Sequence, residues 1–229
     1  MTIEVVCQHA DFWVVVKPAG ESFHSEEGIG FVQRLQQAYS STQFFPVHRL
    51  DKMTSGLLLF ATNKEAARAF GQLFSEHVME KRYIAVSKMK PKKKQGTISG
   101  GMSASRRGQW KLTSSPENFA VTQFFSFAEG GLRFFFVRPL TGKTHQIRVA
   151  LKSIGAPILG DTRYAADAAE RGYLHAFSLS FEWLGEAFNF SKWPEEDAVF
   201  TNEVRQRYDE LYLRSPVTWP KFKLPKLDA

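Results

Sequence analysis

The stretch His48-Arg49-Leu50-Asp51-Lys52-Met53-Thr54-Ser55-Gly56 runs directly into Leu57-Leu58-Leu59-Phe60-Ala61, five apolar or aromatic positions without a break. The second half reads as a buried strand. The first half then sets a carboxylate, a guanidinium, an imidazole and two hydroxyls at the lip of a core element, where packing holds side chains in place. Arg49, two positions before Asp51, is a basic neighbour able to keep a partly buried carboxylate ionised. By residue type alone the stretch is equally a polar turn entering a strand, with Thr54, Ser55 and Gly56 supplying turn chemistry.

Outward from this point the pattern alternates between strands and a few helices. Upstream, Phe12 to Lys17 is β-branched and aromatic and stops at Pro18-Ala19-Gly20, a strand and a turn. Between Gly28 and Ser40, Phe31, Leu35, Ala38 and Tyr39 fall at helical spacing. Downstream, Thr62 with Glu65 forms a capping box ahead of Ala66, Phe70, Leu73, Phe74 and Val78, the clearest helix signal in the chain. Tyr83 to Ser87 reads as a strand. Phe119 to Phe127 and Leu132 to Val137 flank Glu129-Gly130-Gly131 as a hairpin. Thr144 is the expected N-cap of a helix whose apolar face is Ile147, Leu151 and Ile154, with Gly155 as its stop. His145 and Arg148, three apart, share a face of it. Leu174 to Phe181 reads as a strand that Ala187 to Phe190 can pair, Ala198 to Leu213 as a helix, and residues 214–229, with Pro216, Pro220 and Pro225, as an extended, weakly ordered tail. The expected fold is α+β: a mixed, mainly antiparallel, bent sheet with flanking helices and a central cleft, in a single domain over residues 1–229.

Lys and Arg outnumber Asp and Glu by 30 to 23 in 229 residues, an excess that favours a polyanionic partner. The densest charge lies at Lys88, Lys90, Lys92, Lys93 and Lys94, followed by Arg106, Arg107 and Lys111 among glycines. Residues 88–111 read as an exposed, mobile loop or hairpin, or simply a solvated surface. Cys7 stands alone, so no disulfide framework forms. No segment resembles a leader or is long enough to span a bilayer, and a soluble, cytoplasmic protein is expected. Zinc-site spacings, phosphate-binding glycine loops and the esterase nucleophile elbow are absent from the sequence. An aspartyl phosphotransferase would need further carboxylates near Asp51, and Lys52 and Met53 offer none.

A set of short motifs in fixed order narrows this. Lys17-Pro18-Ala19-Gly20, the His48 to Gly56 stretch, Lys81-Arg82-Tyr83, Gly142-Lys143-Thr144-His145-Gln146-Ile147-Arg148 with Gly155, Pro157, Gly160-Asp161 and Tyr164, and Leu174-His175-Ala176 together resemble the RluA-type pseudouridine synthases, which isomerise uridine in structured RNA. The resemblance covers roughly residues 10–182. It implies that Asp51 is the catalytic aspartate, Arg148 its basic partner and Tyr83 the tyrosine that packs on the target base. Arg49 matches an arginine implicated in RNA contact and in filling the space of the extruded nucleotide. Within the same motifs, His48, Thr54, Ser55, Gly56, Lys81, His145, Gln146 and Ile147 are expected on the substrate side, and Lys92, Lys93, Lys94, Arg106 and Arg107 are expected to grip RNA.

Lys143 stands where the family often has arginine, and Ala150 where histidine is frequent. Because the Lys-Pro turn begins at residue 17, no separate RNA-binding module is expected ahead of it. The resemblance implies no metal or cofactor, structured ribosomal or transfer RNA as partner, no obligate protein partner, and a monomer. It leaves open attack of the carboxylate at C1′, attack at C6, or a glycal route. An RNA-binding protein or RNA chaperone that keeps the fold without turnover is the competing reading. His175 is expected as a buried, hydrogen-bonded histidine and Cys7 as packing.

Overall fold

A computed structural model describes residues 2–25, 28–165, 167–214 and 217–223. In chain order its elements are β1 (Glu4–Gln8), β2 (Phe12–Lys17), α1 (Phe31–Ala38), β3 (Phe45–Pro46), β4 (Ser55–Ala61), α2 (Lys64–Ser75), β5 (Glu80–Ser87) and β6 (Gln95–Ala104). There follow β7 (Trp110–Thr113), β8 (Phe119–Glu129), β9 (Leu132–Pro139), α3 (Gln146–Ser153), β10 (Leu174–Trp183), β11 (Glu186–Ser191) and α4 (Asn202–Tyr208). The strands join one sheet in the order β1-β2-β4-β10-β5-β9-β8-β6-β7, with β3 added to β4 and β11 to β10. Pairing is antiparallel except between β4 and β10. The mixed, mainly antiparallel α+β architecture expected from the sequence is therefore present.

Alternation along the central strands gives the sheet two buried faces. On β4, Leu58 and Phe60 pack with Phe31 and Leu35 of α1, whereas Leu57 and Leu59 pack with Phe70 of α2. On β5, Ala85 joins Ile147 and Leu151 of α3, whereas Ile84 and Val86 meet Val204 and Tyr208 of α4. Tyr83 touches both the α1 and the α3 clusters, so these two helices share a face and the tyrosine lies between them.

The parallel seam is short, His175 opposite Ser55 and Ala176 opposite Gly56. Gly56 sits at φ 113°, and a Cβ there would lie 2.3 Å from the Ala176 carbonyl oxygen. Only glycine permits that approach. Beside it, a bulge between Ala176 and Ser178 bends β10 where it faces Tyr83 and Arg82. Gly130 and Gly131 take positive φ in the two-residue turn of the β8–β9 hairpin, as its strand twist requires.

Several local expectations are corrected. The cap of α2 is Asn63, whose side chain accepts from Ala66 N; the Thr62 hydroxyl instead donates to the Ala10 carbonyl across the β1–β2 connection. The N-cap of α3 is His145, in the left-handed region at φ 56°, not Thr144. The last helix begins at Asn202, capped by Thr201, and continues beyond Tyr208 as a π-turn over Asp209–Leu213; residues 198–201 precede it. Residues 95–104 and 110–113 are strands that pair antiparallel, so the second part of the basic segment is a hairpin with Arg106 and Arg107 in its turn, and Lys88 to Lys94 lie in the β5–β6 connection ahead of it. The described part of the tail is packed: Trp219 meets Phe125, Phe136 and the Arg138 guanidinium, and Gln123 donates to the Pro220 carbonyl. Pro216 and Pro225 lie outside the described residues. Among the described residues no helix is long and apolar enough to cross a membrane.

Candidate active site

The loop that carries Asp51 is held from behind by a buried lysine. Lys17 closes β2 with no exposed surface, and its ammonium donates to the carbonyls of Pro18 at 2.8 Å, Lys52 at 3.3 Å and Thr54 at 2.9 Å. Burial lowers its pKa to about 8 against the raising influence of Glu21 and Asp51. Gly20 N adds a bond to the Lys52 carbonyl, and Thr54 N closes a turn on the Asp51 carbonyl. The backbone on either side of Asp51 is thus fixed, while its carboxylate stays 23% exposed.

That carboxylate meets Arg148, from the first turn of α3. Arg148 Nη1 donates to Asp51 Oδ2 at 2.8 Å. The other edge of the guanidinium is occupied by Asp161, which has no exposed surface: Nε donates to Oδ2 at 2.7 Å and Nη2 to Oδ1 at 2.8 Å. Asp161 Oδ1 also accepts from the backbone N–H groups of Arg163 and Tyr164. A bidentate pair of this kind fixes the plane of the fork. Burial alone would lower the Arg148 pKa, but the bonds and charge of Asp161, then of Asp51, raise it. Arg148 therefore does not snorkel along α3; its guanidinium is a buried bridge between two carboxylates.

Two further rings complete the wall. Tyr83 lines the same cleft from β5, and burial, then the charge of Asp51, push its hydroxyl well above the usual range for a phenol. His145 Nε2 lies 3.9 Å from Asp51 Oδ2, and its Nδ1 lies 2.9 Å from the Tyr164 hydroxyl. That hydroxyl accepts from Trp110 N at 2.7 Å. We assign the Tyr164 proton to the bond with Nδ1, which places the imidazole proton on Nε2, facing the carboxylate. Burial lowers the His145 pKa more than Asp51 raises it, so the ring is neutral at neutral pH.

Together these groups wall a cleft of about 430 Å³. Asp51, Tyr83, Arg148, His48, Arg49, Thr54, Lys81, His145, Gln146 and Ile147 all line it. Several of them are committed to structure. His48 Nε2 accepts from Leu59 N and its ring stacks on Phe74; burial, then Lys81, lower its pKa to about 3. Gln146 bonds Thr141, Lys143 N, the Val121 carbonyl and Thr122, so it shapes the loop ahead of α3. Arg49 is exposed and makes no ion pair among the described residues, so the partner of Asp51 is Arg148 and not its near neighbour. A second cleft, about 500 Å³, opens on the other side of Asp51 between the 19–23 turn and the 160–172 loop.

The remaining expected site residues lie elsewhere. Ser55 is buried behind the cleft, within 2.8 Å of His175 Nδ1 and accepting from Arg171. Gly56 serves the β4–β10 seam. Lys92, Lys93 and Lys94 lie in the β5–β6 connection, which is tied by Lys92 N to the Ile154 carbonyl at the far end of α3. An eight-residue helix puts roughly 12 Å between that end and the cleft. Arg106 and Arg107 occupy the β6–β7 turn, which docks on Arg163 through the Gly108 carbonyl and Gln109.

Sequence reasoning gave no site role to Lys17, Asp161 or Tyr164. Each sits within one of the ordered motifs, but its partner is 13 to 54 residues away or is main-chain, and no spacing signals that. Among the described residues no group of three or more His, Cys, Asp or Glu side chains is placed to hold a metal ion.

Comparison with known proteins shows the family to which the chain belongs. The family model described as RNA pseudouridylate synthase matches residues 11–153. A Haemophilus influenzae protein named an uncharacterized RNA pseudouridine synthase is 43% identical over 220 residues, covering 94% of this chain and 98% of that one. The ribosomal large subunit pseudouridine synthase C of Rickettsia bellii is 35% identical over 71% of this chain, which spans 58% of that protein's length. Among solved structures, human RNA Pseudouridylate Synthase Domain Containing 1 superposes with a TM-score of 0.72 at 25% identity, covering 85% of this chain and 84% of the human one. Fold, motif order and sequence likeness converge, and the chain belongs to the RNA pseudouridylate synthase family.

Proposed function

We propose that this protein isomerises particular uridines of structured RNA, ribosomal or transfer, to pseudouridine, with Asp51 as the essential carboxylate. The observation that carries the reading is the Asp51–Arg148 pair, 2.8 Å long, open on one side to a cleft that Tyr83 also lines. A stacked uridine hides its glycosidic bond, so the base must be drawn into such a cleft. The few kcal/mol of unstacking are partly offset by packing on the Tyr83 ring. N1–C1′ then breaks, the uracil turns, C5 joins C1′, the C5 proton leaves to water, and N1, freed of the sugar, takes up a proton from water; no heavy atom enters from solvent.

Within that sequence Asp51 supplies the negative charge beside the sugar and the turning base. Arg148, immobilised by Asp161, keeps the carboxylate placed without sharing its open side. Tyr83, a protonated phenol, is a platform and a neutral donor. Neutral His145 presents an N–H toward the same carboxylate. Arg49 fits an exposed contact to the RNA, and the Lys92 to Lys94 and Arg106–Arg107 loops fit contacts to its flanks. A monomer acting in the cytoplasm without an obligate protein partner belongs to the same reading.

RNA from cells lacking the protein, carrying tritium at uracil C5, is incubated with enzyme in excess. Release of label to water is expected, and chelator leaves it unchanged. No release from either ribosomal or transfer RNA would contradict the proposal and favour an RNA-binding protein without turnover.

A further inference from the structure

Besides the Asp51–Arg148 pair and Tyr83, the cleft wall includes Phe74, His77, Lys81 and Lys143, grouped around the Lys81 ammonium as its outer lobe. Arg49, Lys81, Lys143 and Arg148 line the whole cleft against a single carboxylate, Asp51, which Arg148 already answers. Lys81 and Tyr83 are two apart on β5, so they project to one face, roughly 7 Å apart along the strand. Arg82, between them, turns to the opposite face, over Phe136 and beside Glu80.

The Lys81 ammonium lies 5.6 Å from the centre of the Phe74 ring, and a Cβ at Gly142 would be 3.7 Å from Nζ. Burial lowers its pKa to about 8. Among the described residues no carboxylate or carbonyl oxygen pairs with it. The contrast with Lys17 is direct: that buried ammonium, also lowered to about 8, has three carbonyl partners. Lys81 is half-buried on the cleft wall, and an ammonium there with no partner in the chain is available to an anion that enters the cleft. The neighbouring imidazoles do not do so. His48 and His77 are held neutral, by burial first and then by Lys81, with Lys143 adding to the effect at His77. His77 is itself in the left-handed region at φ 59°, a conformation that non-glycine residues keep when their surroundings impose it.

Resting on the reading of the cleft as a uridine site, we propose that its outer lobe is a phosphate subsite. Lys81, with Lys143 beside it, holds the phosphodiester of the extruded nucleotide while Tyr83 faces its base. The two-residue repeat of the strand matches the reach from a pyrimidine ring to its own phosphate.

The test uses the full chain with uridine, uridine 5′-monophosphate and uridine 3′-monophosphate, titrated by calorimetry or by NMR shifts. One monophosphate is expected to bind about tenfold tighter than uridine, and the arm that does so tells which linkage is held. Inorganic phosphate competes with that monophosphate and not with uridine. Lys81→Met removes the phosphate advantage and leaves uridine affinity within about twofold, while Lys81→Arg keeps most of the advantage. Equal affinities for all three ligands, no detectable monophosphate binding, or a phosphate advantage that survives in Lys81→Met would overturn the subsite. Tritium release from RNA is read separately. Release without a phosphate advantage sinks the subsite alone; an advantage without release strikes the isomerase reading and leaves the anion site standing.

Discussion

The two ends of the cleft are built on opposite principles. At the inner end Arg148 stands between Asp51 and Asp161, and the Asp161 carboxylate accepts four N–H bonds, two from the guanidinium and two from the backbone. At the outer end Lys81 and Lys143 stand without a carboxylate among the described residues. Charges answered within the chain fix geometry, because moving any one of them leaves another buried and unpaired. Cations left unanswered on a cleft wall do the reverse: they fix no geometry and favour whatever anion arrives. The inner end is therefore where catalytic geometry is stored, and the outer end is where affinity for a polyanion is stored.

The sharpest way to break this contrast is at Asp161. Asp161→Ala leaves the Arg148 fork unclamped and is expected to lower stability by about 3–5 kcal/mol, read by denaturant unfolding. Arg148→Lys keeps the charge but cannot serve both carboxylates, and single-turnover isomerisation is expected to fall about a hundredfold or more. Activity near the parent level in Arg148→Lys would mean that charge alone, and not the fork, matters at the inner end.

A smaller effect is expected from acid. Burial lowers the His175 pKa to about 4 from an ordinary 6.5, its Nδ1 and Nε2 being engaged with Ser55 and the Lys192 carbonyl. The unfolded chain thus takes up the proton first. Stability is undiminished above about pH 6.5, declines as pH falls from there, and levels off near pH 4, a loss of about 3 kcal/mol at most from this group. Thermal midpoints measured across that window should fall more steeply for the parent than for His175→Asn. Parallel curves would assign the acid sensitivity to other groups.

Smaller still is the effect of the remote basic loop on chemistry. Replacing Lys92, Lys93 and Lys94 by Gln should reduce the slope of log affinity against log salt by about 0.7–0.9 for each phosphate that the loop no longer neutralises. Single-turnover rates at saturating RNA should barely change. Equal salt slopes for variant and parent would remove this loop from the RNA interface.

The fold was legible where local pattern and tertiary context agree. The run Leu57 to Ala61 is wholly buried in β4, and the double glycine at 130–131 turns as its neighbours demand. Reading failed where a long-range partner decided the outcome. Thr62 has the capping-box spacing to Glu65, yet its hydroxyl is taken by Ala10, and Asn63 caps instead. Thr144 yields to His145, whose left-handed backbone brings its ring toward Asp51. At the site, motif order brought Asp51, Tyr83 and Arg148 together, and the structure places all three on one cleft. Lys17 and Asp161 escaped because their work is to hold backbone and guanidinium from behind. Neither periodicity nor charge pattern reports a partner that the chain reaches only after folding.

Both ends of the cleft matter to catalysis only if the charge of Asp51 does. Asp51→Asn keeps the size of the side chain and its bond to Arg148 and removes only the charge. Under single-turnover conditions with RNA tritiated at uracil C5, no detectable release is expected from this variant, with a thermal midpoint within a few degrees of the parent. Release at the parent rate from a folded Asp51→Asn protein would contradict the role given to that carboxylate.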